Sequence, residues 1–376
     1  MELTFVATCL FGLEKLVGEE IDALGYRRVE TMDGRVTFTA PAEAVARCNL
    51  WLRYAERLYI CIGKFPADSF VALFDGTRAL PWEEWIAADE AFPVKGHSVK
   101  SALVSIPDCQ RIIKKAIVER LRAAHGVSTL PETATTKQVV FFLFRDTVAL
   151  MIDTSGTALH KRGYRPIANA APLRETLAAA LVKLSHPREE ILFWDPMCGS
   201  GTIPIEAALL MQNRAPGMGR TFAAEQFREF SADIWARARE EAADLVRRDS
   251  KFEVRATDID PAAVEICRAN FARAGVAGCA TIRVQDALTI ATEGRRGTLV
   301  LNPPYGERLL SPAEAEELYR KMGKHFATLD DWQIYVLTAN ELFERAYGRR
   351  ADRVRKLYNG MIRCFYYQFF KPRKKK

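Results

Sequence analysis

The chain has 376 residues, of which 49% are hydrophobic and 27% are charged, and its formal net charge is +7 at pH 7. This composition is typical of a globular protein with two or three domains, and no apolar run reaches the ~20 residues of a membrane span. The eight cysteines and five histidines are scattered without a Cys-x-x-Cys pair, which predicts a cytoplasmic protein without a disulfide framework or a bound metal.

The first 65 residues alternate short strands and helices. Strands are predicted at LTFVATC, RVTFTA and ERLYICIGKF, and helices at FGLEKLVGEEIDALG and PAEAVARCNLWLR. The apolar residues of the first helix recur at helical spacing, and the second helix opens with proline. The closely spaced turns favour a small α+β unit over residues 1–65.

A second unit is predicted over residues 66–155. Helices are expected near LFDGTRALPWEEWI and over residues 108–125, followed by two strands in QVVFFLFRDTVALMID. The buried stripe of the helix 108–125 is predicted to consist of Ile112, Ile113, Ala116, Ile117 and Leu121. This periodicity requires the other face of the helix to meet solvent or a polar partner.

Cations gather around that helix. Lys95 and Lys100 precede it, and Arg111, Lys114 and Lys115 lie on the side opposite the apolar stripe. So many cations with almost no acid among them could bind phosphates. The same pattern is also typical of a solvated helix face, and at this point both interpretations stay open.

A polar segment, GTALHKRGYRPIANAAPLRET, marks the main domain boundary. We assign residues 156–190 to a linker and the first helix after it, and residues 191–376 to a separate domain that ends in the basic tail KPRKKK. Strands and helices alternate after residue 191, which predicts a mostly parallel sheet with helices on both faces. Each half has its own hydrophobic pattern and is expected to fold by itself.

Four predicted strands of this sheet end in glycines or polar side chains. The endings are Asp195 with Gly199 and Gly201, then Asp258 with Asp260, then Asp286, then Asn302. Because the carboxyl ends of parallel strands meet at one edge, these residues are expected to surround a ligand. The helix that starts at Thr202 would point its positive end at the same place.

S-adenosylmethionine fits these residues better than NAD does. The first acid lies 57 residues beyond Gly201, compared with ~20 in a dinucleotide fingerprint, and the third glycine is missing. Asp195 would repel a pyrophosphate but would pair with an amino group, while Asp258 suits ribose hydroxyls and Asp286 an adenine amine. The predicted cofactor-binding residues are Asp195, Pro196, Cys198, Gly199, Ser200, Gly201, Thr202, Asp258, Ile259, Asp260, Asp286, Ala287 and Asn302.

Residues 191–369 resemble a class I S-adenosylmethionine-dependent methyltransferase of the Asn-Pro-Pro-Tyr type. The motifs LHKRGYRP, DPMCGSGTIPIEAAL, LNPPYGERL and SVKSALVSIPDCQRIIKKAIV make nearly the whole chain resemble the bacterial THUMP-containing RNA guanine-N2 methyltransferases. Within that family it is similar to the methylase N-terminal half of the large-subunit rRNA enzyme. The resemblance implies a ferredoxin-like unit at 1–65, a THUMP RNA-binding domain at 66–155 and a Rossmann-like, seven-stranded methyltransferase domain.

The Asn-Pro-Pro-Tyr string is ordinary turn chemistry by itself, but in this family context it implies methylation of an exocyclic amine. The Asn302 side chain and the Pro303 carbonyl would accept the two N–H protons, and Tyr305 would stack on a flipped base. The implied RNA contacts are Arg308 beside the pocket together with Lys95, Lys100, Arg111, Lys114 and Lys115. Cys198 lies inside the cofactor loop, which argues against a nucleophilic role.

Three interpretations of function remain at this point. The first is methylation of guanosine N2 in RNA, with 23S rRNA ahead of tRNA as the expected substrate. The second is methylation of another planar amine, either DNA adenine or protein glutamine. The third is a non-catalytic RNA-binding protein that keeps the fold. The intact ligand positions argue against the third, and the basic N-terminal half favours the first.

Overall fold

The computed structural model describes residues 2–166, 173–304 and 311–370. Within these ranges the chain forms two seven-stranded sheets flanked by helices. The predicted class I methyltransferase architecture, with an α+β N-terminal half, is confirmed. None of the helices in the described ranges is long and apolar enough to cross a membrane.

The first sheet belongs to the N-terminal half. Its strands are β1 (Glu2–Cys9), β2 (Arg27–Met32), β3 (Arg35–Pro41), β4 (Ala55–Pro66), β5 (Val94–Val99), β6 (Val139–Phe144) and β7 (Thr147–Asp153). They lie in the order β2-β3-β1-β4-β7-β6-β5. The long strand β4 pairs with β1 on one side and with β7 on the other, so the two predicted N-terminal units share one continuous sheet.

The second sheet carries the strand ends that the sequence singled out. Its strands are β8 (Leu192–Asp195), β9 (Val254–Asp258), β10 (Ala280–Val284), β11 (Gly297–Leu301), β12 (Trp332–Thr338), β13 (Arg353–Asn359) and β14 (Ile362–Phe369). The order is β10-β9-β8-β11-β12-β14-β13. The first five strands are parallel, and β14 and β13 run antiparallel at the end.

Ten α-helices lie within the described ranges. They are α1 (Glu14–Ala23), α2 (Ala44–Trp51), α3 (Phe70–Ala79), α4 (Ile106–His125), α5 (Glu175–Leu184), α6 (Thr202–Met211), α7 (Ala232–Asp244), α8 (Pro261–Arg273), α9 (Pro312–Phe326) and α10 (Phe343–Tyr347). Helix α4 matches the predicted helix 108–125: Ile113, Ala116, Ile117 and Leu121 are buried as expected, while Ile112 is only half-buried. Helices α7 and α10 and strands β2, β5 and β13 were not predicted.

One hydrophobic core runs from the N-terminal sheet into the methyltransferase domain. It contains Phe5 and Phe38 from the first sheet together with Leu177, Phe193 and further residues of the second half. A separate core covers the other face of the second sheet, under α9 and α10. The two halves are therefore packed together through apolar contact.

Polar contacts across the same interface come from the segment between α6 and α7. Lys137, two residues before β6, is fully buried and donates to the carbonyl of Trp85. Its ammonium also pairs with Glu90 at 2.9 Å and with Glu229, beyond α6, at 2.8 Å. The insertion after α6 thus holds the predicted THUMP unit against the methyltransferase domain.

A candidate active site at the carboxyl edge of the second sheet

Strands β8, β9 and β11 end side by side, as the sequence predicted. Asp195 ends β8, Asp258 ends β9 and Asn302 directly follows β11, and β8 pairs in parallel with both of the other strands. Asp286 follows the neighbouring strand β10 by two residues. The polar side chains therefore share one edge of the sheet, which is where α/β sheets bind their ligands.

The loop after β8 has a conformation that requires glycine. Gly199 has φ +50° and Gly201 has φ +83°, both in the left-handed region. A Cβ atom at Gly201 would lie 2.6 Å from the sulfur of Cys267 on α8. The loop is held further by Asn270, whose side-chain amide donates to the Ser200 carbonyl at 2.9 Å. These contacts fix the start of α6 beside the strand ends, where its free N–H groups attract negative or electron-rich atoms.

Asp258 organises the turns on both sides of it. One of its oxygens accepts from the Gly199 amide at 2.8 Å and the other from the Asp260 amide at 3.0 Å. A carboxylate can accept more than two hydrogen bonds, so ribose hydroxyls can still be bound. The adjacent Ile259 side chain is 68% exposed, which leaves an apolar surface beside the acid.

Two further predicted acids, Asp260 and Asp286, have local structural roles. Asp260 caps α8 by accepting from the Ala262 amide at 2.9 Å. Asp286 accepts from the Leu288 amide at 2.8 Å and so closes the short turn at Ala287–Thr289. Each contact uses a single carboxylate oxygen, and both cofactor assignments stay predictions.

Asp195 is a buried acid that lacks a cation. It is 1% exposed, accepts from the Met197 amide at 3.1 Å and has no ion pair with a described Lys or Arg. Burial raises the pKa of Asp195 well above its usual range, and the charge of Asp258 raises it further. A ligand ammonium placed here would remove this penalty, so the residue fits the amino group of S-adenosylmethionine.

Cys198 is a poor candidate for a nucleophile. Its thiol is buried, and the hydrogen bond with Cys267 together with burial raises its pKa well above the usual value. A thiol that stays protonated is weakly nucleophilic. Cys198 therefore supports the loop after β8 through packing.

Asn302 presents an unused hydrogen-bond acceptor. Its Oδ1 atom is buried and has no hydrogen-bond partner among the described residues. Further along the same loop, the Pro304 carbonyl accepts from the Tyr319 hydroxyl at 3.1 Å, and that hydroxyl lies 3.1 Å from Thr338 Oγ1. The backbone next to Asn302 is thus fixed by α9 and β12. Tyr305 and Arg308 lie outside the described residues, and their roles stay predictions.

Two positioning residues were missed by the sequence analysis. Arg165 is almost buried, donates to Thr202 Oγ1 at 2.6 Å and pairs with Glu175 at 2.9 Å, so it ties the linker to the start of α6. Asn270 is fully buried on α8. In the sequence, Asn270 could have been recognised only as a polar residue beside Cys267 and Phe271, on a helix face that is otherwise apolar.

The predicted RNA-binding cations differ in their surroundings. Lys95, Lys100 and Lys115 are exposed, while Arg111 is exposed and pairs with Asp108. Lys114 already has partners: its ammonium lies 2.6 Å from Glu132 and 3.4 Å from the centre of the Phe92 ring. Lys114 therefore has less freedom to reach a phosphate than the other four. None of these contacts tests RNA binding.

The described ranges contain no group of three His, Cys, Asp or Glu side chains that could hold a metal ion. The site consists instead of carboxylates, backbone amides, an apolar side chain and an unpaired amide oxygen. Such a set can bind a nucleoside with a charged arm and can place an amine acceptor beside it.

Comparison with known families matches three parts of the chain. Residues 162–368 match the family described as RMKL-like, methyltransferase domain. Residues 4–59 match the RlmL ferredoxin-like domain, and residues 67–153 match the THUMP domain.

Two curated relatives share extensive sequence with the chain. YpsC of Bacillus subtilis (strain 168), a proposed RNA methyltransferase by its name, is 43% identical over 99% of this chain and 98% of its own length. The Ribosomal RNA large subunit methyltransferase K/L of Psychromonas ingrahamii is 34% identical over 94% of this chain. The chain spans 48% of that second relative.

Solved structures agree with the sequence comparison. SMU.472, described as a methyltransferase candidate complexed with SAH, is 40% identical with a TM-score of 0.93, over 100% of this chain and 99% of its own. A protein of Listeria monocytogenes described as a predicted N6-adenine-specific DNA methylase is 44% identical with a TM-score of 0.94, over 99% of this chain and 97% of its own.

Proposed function

Because the chain belongs to the RMKL-like methyltransferase family, we propose that it transfers the methyl group of S-adenosylmethionine to the N2 amine of a guanosine in RNA, with 23S rRNA as the substrate. The methyltransferase activity and its cofactor follow from the family and from the SAH-bound relative. The base, the atom and the RNA are our proposal.

The observation that carries the proposal is the unpaired Oδ1 atom of Asn302. An exocyclic amine is a weak nucleophile because its lone pair is delocalised into the ring. Asn302 Oδ1 can accept one N–H of that amine, and the Pro303 carbonyl can accept the other. Both contacts favour a pyramidal nitrogen whose lone pair faces the donor methyl, and the fixed geometry supplies much of the acceleration.

S-adenosylmethionine supplies an electrophilic methyl group on a sulfonium. Asp195 would bind its amino group, and Asp258 its ribose hydroxyls, with Ile259 against the adenine. Asn302 would then orient the acceptor nitrogen, which gains the methyl group as the sulfonium C–S bond breaks and loses a proton after transfer, leaving S-adenosylhomocysteine as the second product. A general base is therefore not required at the moment of transfer.

RNA is supported as the substrate by the N-terminal half. The THUMP match over residues 67–153 supports an RNA substrate, and the name of the Psychromonas relative specifies large-subunit rRNA for that relative. Exposed Lys95, Lys100 and Lys115 add a basic surface to that domain. A tRNA guanosine is the alternative within the same chemistry.

DNA adenine N6 is a second candidate acceptor. The description of the Listeria relative favours it, and Asn302 would accept from an adenine amine in the same way.

A methyl transfer assay on separate nucleic acids distinguishes the candidates. The purified chain is incubated with labelled S-adenosylmethionine and with 23S rRNA, tRNA or genomic DNA, each taken from a strain that lacks the gene for this chain. We expect label in 23S rRNA that digestion and mass spectrometry identify as N2-methylguanosine. Label in tRNA alone, or as N6-methyladenine in DNA, would contradict the proposal.

A further inference from the structure

The hairpin formed by β13 and β14 extends beyond the level of the active site. Asn302 follows Leu301, whose parallel partner on β12 is Val336, and Val336 in turn pairs with Tyr367 of β14. Strand β14 extends past that level as far as Ile362, five residues from Tyr367, in the direction in which β11 and β12 run toward their carboxyl ends. At about 3.3 Å per residue, the hairpin tip therefore projects more than 10 Å beyond Asn302.

One face of this hairpin alternates cations with aromatic rings. Lys356 lies directly opposite Phe365, and Tyr358 lies directly opposite Arg363, so the four side chains share a face. The Lys356 ammonium lies 5.5 Å from the Tyr358 ring centre, and the Arg363 guanidinium lies 5.5 Å from that of Phe365. We call these four residues the hairpin platform.

The hairpin platform is on the same side of the sheet as α9, the helix that follows Asn302 in the chain. Val354 and Tyr367 pair on this face, and Tyr367 belongs to the core beneath α9 and α10. The loop after Asn302 leads to α9, which packs over that core. One strand, β12, lies between β11 and β14, so these two strands are about 10 Å apart across the sheet. A nucleotide next to one bound at Asn302 can therefore reach the platform.

The platform also adjoins the N-terminal half. Phe11, which is 55% exposed, contacts Tyr358 edge-on with ring centres 5.9 Å apart. At the tip of the hairpin, Met361 is 97% exposed. Lys356 forms no ion pair within the described residues, and Arg363 pairs only with the exposed Glu341. The surface is thus apolar, aromatic and positively charged together.

We propose that the hairpin platform binds single-stranded RNA nucleotides that flank the methylated base. This inference rests on RNA being the substrate, as proposed above. Bases stack on Tyr358 and Phe365, whose faces accept any base, while Lys356 and Arg363 contact the neighbouring phosphates. A surface of this composition next to the pocket would hold the strand from which the target base is turned out.

The test measures binding of a fluorescein-labelled single-stranded RNA of about ten nucleotides to the full chain by anisotropy. We expect Tyr358→Leu to weaken binding about tenfold through lost stacking, and Tyr358→Phe to bind as the wild type does. Lys356→Ala should weaken binding several-fold and reduce the salt dependence by about one ion. Lys251→Ala serves as the matched control. This exposed lysine lies just before the amino end of β9, whereas the hairpin platform projects beyond the carboxyl ends of the parallel strands.

Unchanged RNA affinity in Tyr358→Leu and Lys356→Ala would overturn the platform, whatever the chain methylates. A change of oligomeric state in Tyr358→Leu, with unchanged RNA affinity, would make the face a contact between copies and would also overturn it. Failure of the proposed function would give a different result, because the wild-type chain would then transfer no methyl group to any RNA. Retained cofactor affinity in each variant confirms that the methyltransferase domain is folded.

Discussion

At Asn302 the structure buries an acceptor that no described residue satisfies. A buried acceptor without a donor destabilises the fold by about 1–3 kcal/mol. The position is therefore better suited to a ligand than to the stability of the folded chain. Loss of a merely structural Asn302 would destabilise the fold, whereas loss of a catalytic one would lower turnover and leave the fold intact.

We expect Asn302→Ala to lower kcat by about two orders of magnitude, because it removes an acceptor that acts on the nucleophile. Its melting temperature should equal or exceed that of the wild type, and its affinity for S-adenosylmethionine should stay within a few-fold. Single-turnover kinetics, calorimetry and thermal unfolding test the three parts. Near-normal turnover, or a large loss of stability, would contradict the assignment.

We expect Asp195 to make cofactor binding dependent on pH. Burial raises its pKa, so the free protein holds this carboxyl protonated over a wider range than an exposed acid. A cofactor ammonium bound beside Asp195 would favour the ionised form of the carboxyl, so binding should release a proton. Affinity should rise with pH below the raised pKa, by up to tenfold per pH unit.

Titration calorimetry in buffers of different ionisation enthalpy measures the released proton directly. We expect Asp195→Asn to bind the cofactor more weakly and to lose the proton release together with the pH dependence from this group. Identical pH profiles for the wild type and Asp195→Asn would show that Asp195 does not face the ammonium.

Residues at strand ends could be predicted because parallel strands bring their carboxyl ends together. That logic placed Asp195, Asp258 and Asn302 at one edge. It could not distinguish them from Asp260, whose carboxylate caps α8, since both kinds of acid follow a strand. Nor could it show that Lys114 is already paired, because Glu132 lies 18 residues away in sequence.

At the scale of elements, the cofactor loop depends on the close approach of α8. Gly201→Ala would place a Cβ 2.6 Å from the Cys267 sulfur and would hold alanine at φ +83°. We expect a loss of at least about 1–2 kcal/mol in stability and a clear loss of cofactor affinity, because the start of α6 must move. Gly278→Ala is the matched control, since its Cβ would meet no atom within 4 Å.

Thermal unfolding and calorimetry on the two glycine variants measure these effects. Wild-type cofactor affinity in Gly201→Ala would mean that the loop adapts without consequence for the ligand. In that case the left-handed conformation would serve only the chain reversal between β8 and α6.

The elements that the sequence did not predict are mostly polar edge strands. Strand β2 has five exposed residues out of six, and β13 is rich in arginine, so neither shows the alternation of a half-buried strand. Their partners β3 and β14 supply the register instead. The strands β8 and β11 were recognisable because each is a short, mostly apolar run that ends at a turn, and all of their residues are buried.

For the whole molecule, the expectation that each half folds alone is not supported. One core joins apolar residues of both halves. Glu206 on α6 is fully buried and has Arg53 of the N-terminal half 3.6 Å away and Arg162 at 3.5 Å. Removal of residues 1–155 would expose this core and take one cation from a buried carboxylate, so an isolated methyltransferase half should be markedly destabilised. The sequence could not show this, because apolar patterns identify a buried face and not its partner.

Substitutions at Lys137 test whether the packing between the two halves of the chain also positions the RNA. Lys137→Ala leaves Glu90 and Glu229, 7% and 15% exposed, without their shared cation, which should lower the free energy of unfolding by roughly 3–5 kcal/mol. Lys15→Ala should be nearly neutral because Lys15 is 84% exposed.

The combination of Lys137→Met with Glu90→Gln and Glu229→Gln removes the unpaired charges and should recover most of that stability. The recovered variant still lacks the ionic link between the insertion and the THUMP unit, so its KM for RNA should rise while its cofactor affinity stays unchanged. Denaturant unfolding and steady-state kinetics measure both effects. A wild-type KM in the recovered variant would mean that apolar packing alone holds the two halves in the orientation that binds RNA.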